Sequence, residues 1–107
     1  MKNTVFKLEV YVPASHAEEL KAALFAAGAG RLGNYDCCCW QTVGRGQFRP
    51  LDGSNPFLGR PGVAESVEEV KLELLMTAGV RVAVLEALRR AHPYETPAFY
   101  CWPVDVE

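Results

Sequence analysis

The chain has 107 residues, half of them hydrophobic, and a formal net charge of -2 at pH 7. This length suits one domain, and the hydrophobic content is enough to bury a core without disulfides or a structural metal. The mild acidity and the absence of a basic block in the sequence argue against nucleic acid as a partner, because phosphate contacts need clustered lysine and arginine.

The first predicted element is a half-buried strand over residues 4–12, where apolar and polar side chains alternate. A helix is predicted next, over residues 14–28, from apolar residues at helical spacing. Ser15 and Glu18 have the spacing of a capping box at its start. Gly28 stands where a left-handed residue commonly ends a helix.

Two strands, a helix and a last strand follow. Aromatic and β-forming residues predict a second strand over 35–43, and alternation predicts a third over 66–76. Residues 78–91 have helical spacing, and residues 98–104 predict the last strand. The order β-α-β-β-α-β predicts a single α+β domain over residues 1–107 with a ferredoxin-like fold, in which two helices cover one face of a four-stranded antiparallel sheet.

The uncovered face of this sheet is predicted to carry large side chains, with Tyr11, Leu75 and Trp102 among them. A soluble monomer rarely exposes a broad surface of this kind, so we expect another subunit to cover it. The sequence therefore predicts a homo-oligomer.

Three glycines raise the question of a nucleotide site. Gly28, Gly30 and Gly33 have the G-x-G-x-x-G spacing of a dinucleotide-binding fingerprint. That fingerprint acts between a strand and the amino end of a helix, where free N–H groups meet the pyrophosphate. In this chain the glycines follow a helix and precede a strand, so we interpret them as a helix cap and a tight connection.

A long connection, at about residues 44–65, joins the second and third predicted strands and contains five glycines and three prolines. Connections of this length in compact domains are usually functional or disordered. Its apolar side chains need cover, which argues against simple disorder. Contact with a neighbouring subunit, binding of a ligand or partner, and mobility are the three open alternatives.

The segment AHPYETP places His92 and Glu95 at a helix-to-strand junction. An imidazole and a carboxylate are the smallest set of groups for holding a metal or moving a proton. The structural alternative is that His92 ends the helix while Tyr94 and Glu95 hold the turn.

Three of the four cysteines are consecutive, at residues 37–39, without the paired spacing of a structural zinc site. On a strand only Cys37 and Cys39 would share a face, and we interpret both as small core residues. The amino-terminal sequence indicates neither a signal peptide nor a membrane anchor. We therefore expect a cytoplasmic protein with reduced thiols and no membrane partner.

Four segments together resemble the small domain inserted in the Nif-three-like, or YqfO-type, proteins: GAGRLGNYDCCCW, GRGQFRPLDGSNPFLGRPGVAE, EEVKLELL and HPYETPAFY. The resemblance runs from about Val5 to Trp102. It implies a stand-alone version of that domain with a PII/CutA-like form of the ferredoxin-like fold. This type commonly forms trimers, so the resemblance favours a trimer over a dimer.

In Nif-three-like proteins the two-metal site belongs to a larger domain that has no counterpart in this sequence, so the resemblance assigns no catalytic residue here. HPYETP also resembles CutA proteins, which are linked to divalent-cation tolerance. No cofactor is firmly implied, and a divalent metal ion stays a candidate with His92 and Glu95 as its candidate ligands.

We predict a non-enzymatic, oligomeric module that binds a small ligand, a metal ion or a protein partner in clefts between subunits. The alternative is a metal-dependent hydrolase that uses His92 and Glu95, and a structural scaffold for a partner protein is a third hypothesis. The residues expected to line the cleft are Asn34, Tyr35, Asp36, His92, Tyr94 and Glu95.

Overall fold

The computed structural model describes residues 4–106. Its elements are β1 (Val5–Pro13), α1 (Ala17–Ala26), β2 (Trp40–Phe48), β3 (Glu65–Thr77), α2 (Arg81–Ala91) and β4 (Phe99–Val104), with a 3₁₀ turn leading into each helix. The strands form one antiparallel sheet in the order β2-β3-β1-β4. The predicted ferredoxin-like α+β fold is confirmed. Neither helix in the described residues has the length and hydropathy of a membrane span.

The hydrophobic core lies between the sheet and the two helices. Alternate residues of β1 and β3 point toward the helices, and Leu8 and Leu72 have no exposed surface. Leu20 of α1 and Val84 and Leu88 of α2 are equally buried and pack against them. Because strands alternate with period two and helices repeat every 3.6 residues, the sequence pattern is sufficient to predict these inward faces.

The central strand β1 pairs with β3 on one side and β4 on the other. Val5, where β1 begins, is the register partner of Val104, where β4 ends. Pro13, at the other end of β1, is opposite Glu69. From there β3 continues back to Glu65 and pairs only with β2. The sheet is therefore extended at this end by a two-stranded ribbon.

The sheet face away from the helices has a charged centre beside aromatic rings. Lys7 Nζ lies 2.7 Å from Glu73 Oε1, and Lys71 Nζ lies 3.8 Å from Glu9 and 3.7 Å from Glu73. The hydrogen bond from Lys7 lowers the pKa of Glu73. Trp102 lies beside this network, with Lys7 Nζ 5.9 Å from its ring centroid. The predicted bulky side chains are therefore interrupted by ion pairs.

The second strand begins later than predicted, because β2 covers Trp40–Phe48 rather than residues 35–43. The first five residues of the predicted loop, 44–48, belong to this strand, and two of them are glycines. They are tolerated because β2 is an exposed edge strand whose ladder partners all come from β3. The β2–β3 loop consequently runs over residues 49–64 rather than about 44–65.

The predicted capping box at the start of α1 does not form. Ser15 lies in the 3₁₀ turn before the helix, and its Oγ is 2.8 Å from Nδ1 of His16, the residue at the N-cap position. No side chain caps α1, although Glu18 does lie in its first turn. At the other end, Gly28 has a φ of 110°, which fits the predicted left-handed ending of the helix.

Candidate functional site

A cavity of about 440 Å³ lies where the β2–β3 loop folds over the ribbon end of the sheet. This volume is in the range of sites for small organic molecules. The loop contributes Phe57 and Leu58, and the open sheet face contributes Tyr11 and Tyr100. The connection between α2 and β4 contributes Tyr94. Three chain segments that are distant in sequence therefore form one wall.

Tyr94 is the centre of the aromatic part of this wall. Its ring centroid lies 5.8 Å from that of Phe48 and 6.4 Å from that of Phe57. Its hydroxyl donates a 2.8 Å hydrogen bond to Glu69 Oε2. Burial, together with this bond to a carboxylate, raises the pKa of Tyr94. The phenol therefore stays protonated at neutral pH and remains a hydrogen-bond donor.

Two carboxylates border the cavity. Glu69 extends from β3 and packs against Gly46, where an added Cβ would overlap its carboxylate. Glu95 Oε2 accepts a 3.0 Å hydrogen bond from the backbone N–H of Asn55, which ties the loop to the α2–β4 connection. The described residues that line the cavity include no lysine, arginine or histidine. Its charged groups are therefore all acidic.

His92 does not line the cavity but holds its wall in place. The residue is 5% exposed. Its Nε2 donates a 2.7 Å hydrogen bond to the carbonyl of Tyr11, and its Nδ1 accepts a 3.1 Å hydrogen bond from the backbone N–H of Tyr94. These contacts require the neutral tautomer with the proton on Nε2. The imidazole thereby joins β1 to the segment that carries Tyr94.

The metal hypothesis at His92 and Glu95 does not fit this geometry. Both imidazole nitrogens already make hydrogen bonds, so neither offers a free lone pair to a cation. Within residues 4–106 no group of three or more His, Cys, Asp or Glu side chains is arranged to hold a metal ion. The hydrolase alternative, which depended on the same two residues, gains no support from their placement.

We expect the folding stability to depend on His92 at mildly acidic pH. Burial lowers the pKa of His92 below its ordinary value of 6.5, so the unfolded chain binds this proton more readily than the folded chain. The contribution of neutral His92 to the free energy of unfolding should be complete above pH 6.5. It should fall as the pH drops toward the pKa of His92 in the folded protein, by at most about 1.4 kcal/mol per pH unit.

Urea denaturation between pH 7.5 and 5.5 measures this slope, and an NMR titration reports the imidazole directly. A His92 midpoint at or above 6.5 in the folded protein would contradict the expectation. The variant His92→Gln serves as the comparison, because the pH dependence of its unfolding free energy should lack the part that is due to His92.

The other predicted segment, residues 33–36, lies at the opposite end of the sheet. The backbone N–H of Gly30 donates a 2.8 Å hydrogen bond to the carbonyl of Leu75, and the N–H of Cys38 donates to Gly30, also at 2.8 Å. The stretch of β3 from Leu75 to Glu69 spans about 20 Å at ~3.3 Å per residue. Within one copy of the chain, this segment therefore does not reach the cavity. Three of the predicted site residues are exposed away from it: Asn34, Tyr35 and Asp36.

The cysteine interpretation is half correct. Cys39 packs against the core, and burial raises the pKa of its thiol. Cys37 is exposed and has a φ of 55°. It precedes β2, so the alternation expected of a strand does not apply to it.

Sequence reasoning placed Tyr94 and Glu95 in the site but missed most of the wall. Alternation in β3 gives no sign that Glu69 belongs to a site, and the sequence pattern assigns Tyr11 only to a subunit contact. The loop was the sequence feature that pointed to this wall, because its aromatic side chains have to pack against another part of the protein. Phe57 finds part of that cover on His16 and Tyr94, with ring centroids 5.2 Å and 6.4 Å away.

No protein-family model matches the chain. The chain is 43% identical over 101 residues to a GTP cyclohydrolase 1 type 2 homolog of Halalkalibacterium halodurans, a match that covers 94% of this chain and 27% of that protein. A Bacillus subtilis protein of the same description is 46% identical over 99 residues, covering 92% of this chain and 26% of its own length. The chain thus spans about a quarter of the length of these curated relatives.

Solved structures extend the comparison to the fold. A Bacillus cereus protein related to NIF3 superimposes with a TM-score of 0.83 at 39% identity, over 97% of this chain and 26% of that one. The periplasmic divalent cation tolerance protein CutA from Archaeoglobus fulgidus has a TM-score of 0.68 at 15% identity, over 96% of this chain and 86% of that one. The resemblance read from the sequence motifs and the CutA-like fold are confirmed.

Proposed function

Because the chain is homologous to one domain-sized segment of the NIF3-related proteins, we propose that it is a non-enzymatic, homo-oligomeric module that binds a small molecule in the cavity beneath the β2–β3 loop. The observation that carries this proposal is the cavity itself. It is formed by an aromatic wall and two carboxylates under the β2–β3 loop. The backbone of this loop donates a hydrogen bond to Glu95. Both carboxylates already accept a hydrogen bond from the protein, Glu69 from Tyr94 and Glu95 from Asn55, which supports a role in holding a ligand.

The oligomeric part of the proposal is supported by the open sheet face and by the separation of the two signature segments. Trp102 is 39% exposed on this face and does not line the cavity. Residues 33–36 of one copy and residues 92–95 of the next would share a cleft only if two copies meet. We propose a trimer, and light scattering that reports a single-chain particle at micromolar concentration would contradict any assembly.

The proposed location is the cytoplasm. All four cysteines are free thiols in this fold. A reducing compartment maintains that state.

A fragment screen tests the cavity without assuming the charge of its ligand. The probes are soluble aromatic fragments that are cationic, neutral or anionic, observed by ligand-detected NMR on the assembled protein. Ala98 lines the cavity, so Ala98→Trp should fill it and remove the bound fragments. Ala22 is exposed on α1, and Ala22→Trp is the matched control. Fragments that bind both variants equally, or no bound fragment in the wild type, would contradict the proposed site.

A second variant pair tests the geometry of the wall. In Gly46→Ala the new methyl group displaces the Glu69 carboxylate, which then loses the hydrogen bond from Tyr94. We expect fragment affinity to fall by about fivefold, because a displaced Glu69 no longer offers the fragment one hydrogen bond worth about 1 kcal/mol.

The matched control is Gly44→Ala, on the same strand and face, because an added Cβ there has no neighbour within 4 Å. Titration of each variant with the strongest fragment from the screen gives the comparison. Equal affinities for the two variants would show that the position of Glu69 does not matter.

A further inference from the structure

We infer that the cavity binds an organic cation, an alkyl- or arylammonium compound whose apolar body lies against the aromatic wall. The inference names the ligand class of the proposed site and therefore rests on the proposed function. It is carried by the charge of the lining, the arrangement of the rings and the fixed position of one carboxylate.

The charge of the lining disfavours an anion on electrostatic grounds. An anionic group in the cavity would face Glu69 and Glu95 with no lysine, arginine or histidine in the described lining. Of the basic groups beside Glu69, Lys71 is paired with other carboxylates and Arg45 donates a hydrogen bond to Ser66. A ligand that carries a positive charge is the only ionic class that this lining attracts.

The rings provide the second part of the recognition. Tyr94 packs near both Phe48 and Phe57. On the sheet side Tyr11 meets Tyr100 edge to face, with centroids 6.4 Å apart. Aromatic faces attract ammonium groups through their quadrupole, most strongly where water is excluded. The hydrogen bond to Glu9 raises the pKa of Tyr11 to about 12. The ring therefore stays neutral at neutral pH.

The position of Glu69 is set before any ligand enters. Its Oε2 accepts the hydrogen bond of the Tyr94 hydroxyl, and its carboxylate lies against the backbone of Gly46. A carboxylate held on two sides keeps acceptor sites for an ammonium N–H and loses little freedom when it binds one. A primary or secondary amine is therefore suited to Glu69, while its carbon skeleton occupies the aromatic wall.

Three probes of similar size separate charge from shape: 2-phenylethylammonium, 2-phenylethanol and phenylacetate. Isothermal titration of the assembled wild-type protein should give the ammonium compound an affinity about tenfold above the alcohol, with phenylacetate weaker still. Glu69→Gln preserves the shape of the side chain and should reduce the preference for the ammonium compound over the alcohol severalfold. Glu68→Gln is the control, because Glu68 neighbours it in sequence and is absent from the lining.

The outcomes distinguish this inference from the proposed function. Binding of the alcohol or of phenylacetate as tight as that of the ammonium compound overturns the cation preference and leaves the cavity as a binding site. Equal loss in Glu69→Gln and Glu68→Gln also overturns it, since the effect would then be net charge alone. No binding of any probe, with no fragment lost in Ala98→Trp, overturns both.

Discussion

Replacement of Leu72 by alanine should lower the free energy of unfolding by about 3–5 kcal/mol. Leu72 has no exposed surface and lies on β3, with Val10 beside it on one neighbouring strand and Gln41 on the other. The loss combines the transfer energy of the removed carbons with the cavity that the paired strands cannot close. Domains of this size are stable by only about 5–15 kcal/mol, so a large share of the stability depends on this side chain.

Chemical denaturation followed by circular dichroism measures the change. Leu51→Ala is the control, since Leu51 lies in the β2–β3 loop and is 67% exposed. Its loss should stay within about 0.5 kcal/mol. Similar losses for the two leucines would mean that the core is not where the structure places it.

Gly30→Ala should be the second most damaging change, with a loss of about 2–4 kcal/mol. Gly30 has a φ of 79°, which an L residue adopts at a cost. Its added Cβ would also lie 2.9 Å from the backbone carbonyl oxygen of Cys38 and 2.9 Å from the ring of Phe25. The carbonyl belongs to the connection that leads into β2 and has little room to move, because Cys38 also donates a hydrogen bond back to Gly30.

Gly33→Ala separates the two causes. Gly33 also has a positive φ, 55°, but an added Cβ has no neighbour within 4 Å. Only the conformational cost of about 1 kcal/mol should remain. Denaturation midpoints of the two variants give the comparison, and an equal loss would show that the close approach at Gly30 does not contribute.

The element order and the core were predictable because each depends on local periodicity. Alternation in β1 and β3 identifies Leu8 and Leu72 as inward residues, and helical spacing identifies Leu20 and Leu88. The position of β2 was not predictable in the same way. Seven of its nine residues are exposed and none is buried, so no inward face marks its register. Its pairing with β3 decides where it begins.

The site was harder to predict because its parts come from distant segments. Tyr94 and Glu69 meet only after the α2–β4 connection reaches the open face of β3. The motif left open whether His92 is reactive or ends the helix. The residue is the C-cap of α2, and its imidazole makes two hydrogen bonds to the backbone. The polar residues of a short motif are candidates for a functional site. The fold decides whether their atoms contact a ligand or form hydrogen bonds to the backbone.

The pairing of Val5 with Val104 has a consequence for how such a unit is used in evolution. Adjacent antiparallel strands lie about 5 Å apart, so the polypeptide enters and leaves the fold at neighbouring points. A longer protein can contain a domain of this shape as an insertion in a single surface turn, because the chain on both sides of the insertion keeps its position. This chain spans about a quarter of the length of the matched relatives.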